Sequence, residues 1–161
     1  MPNRRLLWTL YLSCSLLLLL LWPGTAAAAP VLMTASGGFT RTSFTQENVR
    51  QIDGITLFDF TETDTLTGTF EGSSVIHGSC IVRATGAGTC LARETFTGKV
   101  AGKTGTVEFQ DFITLEPSGA AHGRFVIVGG TGELANLRGS GSFEGTPEGT
   151  GTYTGQIVFL G

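Results

Sequence analysis

Histidine is scarce in this chain of 161 residues, in which only His77 and His122 occur. Neither of them stands at a ligand spacing, so the sequence predicts no metal site. No Ser-His-Asp order, nucleophile elbow or Cys-His pairing stands out, which removes the usual signatures of nucleophilic hydrolysis. We therefore expect neither a metal nor a cofactor.

Long apolar runs are absent except at the start of the chain, where residues 1–28 are typical of a secretory signal peptide. Two arginines precede the apolar run Leu6–Trp22, and an alanine-rich stretch follows it, which predicts cleavage after Ala27 or Ala28. A retained anchor is the alternative, because the run approaches the length of a short membrane span. The alanines favour cleavage, which would give a secreted or extracytoplasmic protein without stable membrane insertion.

Basic residues are few in the chain that remains after the predicted cleavage. Removal of Arg4 and Arg5 leaves eight basic residues against thirteen acidic ones, a net charge of −5. Such a balance excludes an electrostatic footprint for nucleic acid or for an anionic membrane. The roughly 134 remaining residues fit one domain. We expect a flexible lead-in at residues 29–36 and a folded domain over residues 37–161.

Helical patterns are almost missing from that domain, in which Gly, Thr, Phe and Val dominate. Glycines recur between segments of alternating polarity, which is typical of an all-β protein. The sequence predicts an eight-stranded antiparallel β-barrel, with a β-sandwich as the alternative. The predicted strands are Gly38–Thr45, Ile55–Glu62, Thr67–Val82, Cys90–Ala101, Thr106–Glu116, His122–Val128, Gly139–Gly145 and Tyr153–Leu160.

Two cysteines remain in the mature chain, Cys80 and Cys90, and a glycine-rich stretch lies between them. A five-residue hairpin loop over residues 83–87 places them opposite each other. Export to an oxidising space then favours a disulfide bond. Two free thiols are the alternative.

Two carboxylates fall on the apolar faces of neighbouring strands. Glu94 shares a face with Phe96, and Asp111 shares a face with Phe109, because side chains alternate along a strand. A two-residue turn at Gly102-Lys103 would place Glu94 opposite Asp111 and Phe96 opposite Phe109. A shift of two residues would separate the acids but leave both facing inward.

Buried acids that face each other are costly unless they share a proton or meet a cation. In the functional interpretation Glu94 and Asp111 form a proton-transfer or hydrogen-bonding pair in a barrel cavity. In the structural interpretation Arg124 or Arg138 neutralises one of them. The candidate catalytic residues are thus the two acids, and the candidate ligand-binding residues are Phe96, Phe109, Arg124 and Arg138.

The stretch from Phe125 to Phe143 contains a strand, a glycine corner and a return strand. We expect Gly129, Gly130 and Gly132 to let the backbone turn sharply, with at least one of them at positive φ. A phosphate-binding loop is the alternative, although no Lys-Ser/Thr and no long helix follow the glycines. Leu134 and Leu137 stand three residues apart, as one helical turn packed on a core would require.

The same stretch carries a resemblance. Val128-Gly-Gly-Thr-Gly132, a charged residue, a leucine and then Arg138-Gly139 resembles the motif of the dirigent proteins, which share a barrel superfamily with the allene oxide cyclases. Residues from about 70 to 160 more closely resemble an uncharacterised, mostly bacterial family of that superfamily, with a similar GTGEL-x-x-L-x-G signature. The resemblance implies an allene-oxide-cyclase-like barrel. It also suggests a homo-oligomer, for which the resemblance is the only support.

Three functions are compatible with such a barrel, because a fold does not decide a function. The first is dirigent-like binding of a small apolar or phenolic molecule. The second is a cofactor-free isomerase or cyclase in which Glu94 and Asp111 supply acid–base chemistry. The third is a structural secreted barrel filled by its own side chains. Ala135 stands where the dirigent motif usually has a basic residue, which weakens the transfer of phenoxy-radical coupling to this chain.

Overall fold

The structure, a computed structural model, describes residues 30–161, and the predicted signal peptide lies outside them. Each strand pairs antiparallel with the next, and β1 also pairs with β8, so the sheet closes on itself as a barrel. The prediction of eight antiparallel strands in a closed ring is confirmed. No helix within the described range has the length and hydropathy that a membrane span needs. The strands are β1 (Leu32–Ile52), β2 (Ile55–Gly68), β3 (Phe70–Arg83), β4 (Gly88–Val100), β5 (Lys103–Leu115), β6 (Ala121–Gly132), β7 (Leu137–Gly145) and β8 (Thr150–Phe159).

Strand β1 corrects the expected lead-in, most of which is part of the barrel. Leu32 pairs with Val158 and Ser36 pairs with Thr154, so this segment forms the seam between β1 and β8. Ala35 is fully buried on the inner face. Without this segment one edge of β8 would present unpaired backbone groups, which closed sheets avoid.

One end of the barrel is packed with apolar side chains. The turn at residues 133–136 folds Leu134 into this end, and Leu134 and Leu137 are both fully buried. Phe70 lies edge-on to the rings of Phe96 and Phe109, at centroid distances of 5.6 and 5.4 Å. The other buried side chains of this end include Val100, Val107 and Ile157.

The disulfide lies toward the opposite end of the barrel. Cys80 of β3 and Cys90 of β4 are cross-strand partners and are bonded to each other. Residues 84–87 form the loop of this hairpin, one residue fewer than predicted, and Arg83 N–H donates to the carbonyl of Ala87. The predicted hairpin and its disulfide bond are confirmed.

The turn between β4 and β5 differs from the prediction. Its two central residues are Ala101 and Gly102, with φ of 50° and 84°, and Val100 pairs with Lys103. Positive φ at both positions is the geometry of a type I′ turn, whose twist matches that of the flanking strands. The predicted turn at Gly102-Lys103 was wrong by one residue, which shifts the strand pairing by two.

The glycine corner lies at the end of β6. Gly132 has a φ of 62°, in the left-handed region that favours glycine. Gly130 does not have positive φ, but an added Cβ there would overlap the carbonyl oxygen of Leu134. At Gly129 the nearest atom to an added Cβ would be the Cβ of Glu108 at 3.9 Å, an ordinary contact. The three glycines therefore have different physical roles.

We expect Gly130→Ala and Gly132→Ala each to lower the free energy of unfolding by about 1 kcal/mol or more, through overlap and backbone strain respectively. Gly129→Ala is the matched control and should change it by less than about 0.5 kcal/mol. Urea unfolding followed by circular dichroism measures all three. Equal stability of the three variants would contradict this account of the corner.

Candidate functional site

A cavity of about 100 Å³ lies inside the barrel next to the packed end. It adjoins a second space of about 240 Å³ toward the other end, and Ile113 lines both. Arg41 and the disulfide lie along the second space. The aromatic residues around the inner cavity are Phe39, Phe60, Phe70, Phe109, Phe125, Phe143 and Tyr153.

Four acidic side chains also line the inner cavity. Glu62 and Asp64 stand two residues apart on β2 and so share its inner face. Glu94 of β4 lies in the same cross-strand row as Glu62, with Ile76 of β3 between them. Asp111 of β5 is the fourth. Strand alternation therefore brings acids from three strands to one wall.

The strand register corrects the expected pairing of two of these acids. Glu94 lies opposite Phe109, and Asp111 lies opposite Ala92, so the two carboxyl groups are diagonal neighbours. Phe96 correspondingly faces Val107 and not Phe109. Both acids still face inward, because a shift of two residues preserves the face of every side chain.

Of the four acids, Asp111 has the carboxyl pKa that is shifted furthest from its ordinary value. It is 4% exposed, and among residues 30–161 its Oδ1 has no hydrogen-bond partner. Burial first, and then the charge of Glu94, raise the pKa of Asp111 to about 8. Near neutral pH this carboxyl group is therefore largely protonated.

Glu94 lies deep in the barrel, and its remaining accessible surface faces the cavity. Burial raises its pKa to about 7, whereas the Ser74 hydroxyl, which donates a hydrogen bond to Glu94 Oε1, acts in the opposite direction. The charge of Glu62 adds a smaller upward contribution to that pKa. Glu94 therefore exchanges its proton in the neutral pH range.

The pKa of Asp64 is also raised, as that of Glu94 is. Asp64 is 5% exposed, and its Oδ1 also has no hydrogen-bond partner in the part of the chain that the structure describes. Burial first, and then the neighbouring Glu62, raise the pKa of Asp64 to about 7, and Arg41 acts against them. Arg41 itself forms an ion pair with Glu62, with Nε 3.1 Å from Oε1.

Two predicted ligand-binding arginines lie elsewhere. Arg124 is exposed on the outer face of β6, because the adjacent Phe125 occupies the inner face. Arg138 donates from Nη1 to the carbonyl oxygens of Ala135 and Leu137, at 3.1 and 2.6 Å, and so stabilises the corner. Neither one neutralises an inward acid.

The two predicted phenylalanines differ in position. Phe109 lines the cavity, whereas Phe96 is fully buried in the packed end and is not part of the cavity wall. The expected ligand contact of Phe96 is therefore replaced by packing against Phe70.

Sequence reasoning missed three charged side chains that line the two spaces. Glu62 and Asp64 continue the inward phase of Phe58 and Phe60, but the predicted second strand ended too early to include Asp64. Arg41 continues the inward phase of Phe39 just before a bulge in β1. That alternation was a usable signal. Within residues 30–161 no group of three or more His, Cys, Asp and Glu side chains is placed to hold a metal ion.

The raised pKa values predict how stability depends on pH. An unfolded Asp111 releases its proton near its ordinary value of 3.8, whereas the folded one retains it to about pH 8. The folded state then binds more protons than the unfolded state between about pH 4 and pH 8, so stability falls as the pH rises through that window. We expect Asp111→Asn to gain stability over the wild type by at most about 1.4 kcal/mol for each pH unit.

Urea unfolding at pH 5, 6.5 and 8 measures this difference. Glu71→Gln, on the outer face of β3, is the control and should follow the wild-type slope. Parallel slopes for Asp111→Asn and the wild type would mean that Asp111 is solvated and would contradict its inward placement.

Comparison with known proteins places the fold in a family. The family described as "Protein of unknown function (DUF3224)" matches residues 35–156. The crystal structure of a protein with unknown function from the DUF3224 family of Shewanella oneidensis MR-1 superposes with a TM-score of 0.68 at 24% identity. The match covers 81% of this chain and 99% of that one, which shows a shared fold. No curated protein matches the sequence. Since the family match extends from β1 into β8, the chain belongs to the DUF3224 family.

Proposed function

We propose that this protein is an exported barrel that binds a small apolar or phenolic molecule in its inner cavity. The observation that carries the proposal is an aromatic cavity into which two carboxyl groups project with unpartnered oxygens, Asp64 Oδ1 and Asp111 Oδ1. Ligand sites are commonly concave and mostly apolar, with few polar groups that fix orientation.

The aromatic wall supplies the affinity in this proposal. Each Å² of apolar ligand surface taken from water contributes about 25 cal/mol, so one buried ring is a substantial gain. The unpartnered carboxyl oxygens accept a hydrogen bond from a ligand hydroxyl, which would remove the cost of leaving them unpaired.

We further propose that the barrel belongs to the allene-oxide-cyclase-like superfamily and that it acts in a dirigent-like way, without a cofactor. The closed eight-stranded order and the corner motif at residues 128–139 support the superfamily assignment. A dirigent-like mode requires a cavity that orients its guest, and the diagonal placement of Glu94 and Asp111 on one wall supplies such an orientation.

Export rests on the signal-peptide pattern of residues 1–28 and is compatible with the Cys80–Cys90 disulfide. We expect protein recovered from the extracytoplasmic fraction to begin after Ala27 or Ala28 and to take up no alkylating agent without reductant. Intact mass measures both. A full-length mass in a cytoplasmic fraction, with Cys80 and Cys90 alkylated as well as Cys14, would overturn the export proposal.

A second candidate function is a cofactor-free isomerase or cyclase. The pKa values of Glu94 at about 7 and of Asp111 at about 8 favour it, because general acid–base catalysis is most effective when the pKa lies near the working pH. In this candidate the two acids transfer protons to and from one bound molecule.

The binding proposal is tested by native mass spectrometry of protein purified from its own host. We expect a retained small molecule in the wild type. Ile113→Trp places a larger side chain at the boundary of the two spaces and should abolish retention. Thr114→Trp, on the outer face of the same strand, is the matched control and should retain the molecule.

The outcomes separate the candidates. Release of the molecule unchanged supports binding, and its conversion on incubation favours the isomerase. Equal retention by the wild type and Ile113→Trp would place the molecule outside the barrel. An apo mass for the wild type, together with no binding of added apolar or phenolic compounds, would leave a structural barrel.

A further inference from the structure

We propose that the cavity selects an organic cation, an amine or quaternary ammonium group attached to a small apolar body, over a neutral molecule of the same shape. This inference rests on the proposed function, because it specifies the ligand class of the same cavity. It is carried by the balance of charges and hydrogen-bond donors inside the barrel.

The ionisable side chains inside the barrel are mostly acidic. Four carboxyl groups project inward from β2, β4 and β5, and one guanidinium group, that of Arg41, projects from β1. Strands β3, β6, β7 and β8 add no charged side chain to the cavity wall. Arg41 lines the outer space and is paired with Glu62. Among the residues that the structure describes, no cation contributes to the pKa of Glu94 or Asp111, and the one cation that acts on Asp64 is Arg41, which is already paired with Glu62.

Two hydroxyl groups near the cavity, those of Ser74 and Tyr153, already donate hydrogen bonds. The Ser74 hydroxyl donates to Glu94 Oε1. The Tyr153 hydroxyl donates to the carbonyl oxygen of Thr67 at 2.9 Å and accepts from the N–H of Phe70 at 2.9 Å. The oxygens left over are Asp64 Oδ1 and Asp111 Oδ1, each on a side chain at most 5% exposed. Once these two carboxyl groups have ionised, all their oxygens are acceptors. Such a wall favours a ligand that brings positive charge or donors, and it disfavours an anion.

Aromatic rings surround these acceptors. Phe70, Phe109 and Phe125 form a chain of edge-to-face contacts, and Phe70 also meets Tyr153 at 5.5 Å. These four rings also line the cavity, and the face of an aromatic ring attracts a cation. Calcium and magnesium instead require a shell of six or more oxygen ligands, which apolar rings cannot supply. Rings combined with a few carboxylates therefore suit an alkylated nitrogen better than a metal ion.

Because the cavity acids exchange protons, the affinity for a cation should depend on pH. In the empty cavity, protons on Asp64, Glu94 and Asp111 reduce the negative charge, because the pKa values of these three acids lie between about 7 and 8. A bound cation favours the ionised acids, so it displaces protons into solution. The affinity for a permanently charged ligand then rises as the pH increases and protons leave the empty cavity.

Calorimetric titration with three one-ring probes tests the inference. Phenyltrimethylammonium is the cation, tert-butylbenzene is its neutral isostere, and p-cresol is the neutral phenol. At pH 8 we expect the cation to bind at least about tenfold more tightly than the isostere. Its affinity should rise about tenfold between pH 6 and pH 8, with protons released to the buffer, while the isostere shows no such rise.

Substitutions of single acids test whether the inward carboxyl groups cause the preference for the cation. Asp111→Asn and Asp64→Asn should each weaken the cation about tenfold and leave the isostere unchanged. Glu71→Gln removes an acid from the outer face and should leave all probes unchanged, provided that each variant unfolds at a temperature close to that of the wild type. If Glu71→Gln weakens the cation as much as Asp111→Asn does, the cation adsorbs to the surface and the inference is overturned.

The remaining outcomes separate this inference from the proposed function. Binding of p-cresol or tert-butylbenzene that equals or exceeds that of the ammonium overturns the cation inference and leaves the binding proposal standing. Binding of calcium chloride without binding of the ammonium also overturns it. Failure of all three organic probes to bind overturns the inference and counts against the binding proposal as well.

Discussion

Pairing of β1 with both β2 and β8 is the constraint on which the rest of the structure depends. It turns a meander of hairpins into a closed surface, and it gives every strand an inner face that is screened from bulk water. An acid on that face loses solvation, which disfavours its charged form. The raised pKa values of Asp64, Glu94 and Asp111 follow from closure before any neighbouring charge is considered.

The side chains inside the barrel differ between its packed end and the cavity next to it. At one end, Leu134 and Leu137 enter from the corner after β6 and meet Phe70 and Phe96 in dense packing. Beyond this packing the inner faces carry the four acids, and a second apolar cluster that includes Phe58, Phe60 and the disulfide lies toward the other end. The resulting cavity lies where apolar packing gives way to polar groups. The site and the core are thus consequences of one alternating pattern.

Much of this arrangement could be predicted from sequence. The period of two along β4 and β5 placed Glu94 and Asp111 on the inner face, and that placement survives an error in pairing. The pairing itself could not be predicted, because it depends on Ala101 adopting positive φ, which is uncommon for a residue other than glycine.

The missing parts of the site have equally local causes. The inward phase of Arg41 is set by only one preceding aromatic residue, Phe39, because a bulge follows Arg41 and ends the regular alternation in β1. Asp64 was missed because the predicted second strand ended at Glu62, whereas β2 continues to Gly68. Arg124 was attractive as a counter-ion on charge alone, whereas its neighbour Phe125 occupies the inner face and directs it outward.

The central claim is that a small molecule occupies the interior of the barrel beside the buried acids. Diffraction from crystals soaked with 4-bromophenyltrimethylammonium, recorded at the bromine edge, tests it most directly, with 4-bromophenol as the neutral counterpart. The account predicts an anomalous peak for at least one of the two between Phe70, Phe109 and Phe125, with the polar end of the molecule toward Asp111. Peaks confined to the outer surface for both compounds, around an interior that holds only water, would contradict it.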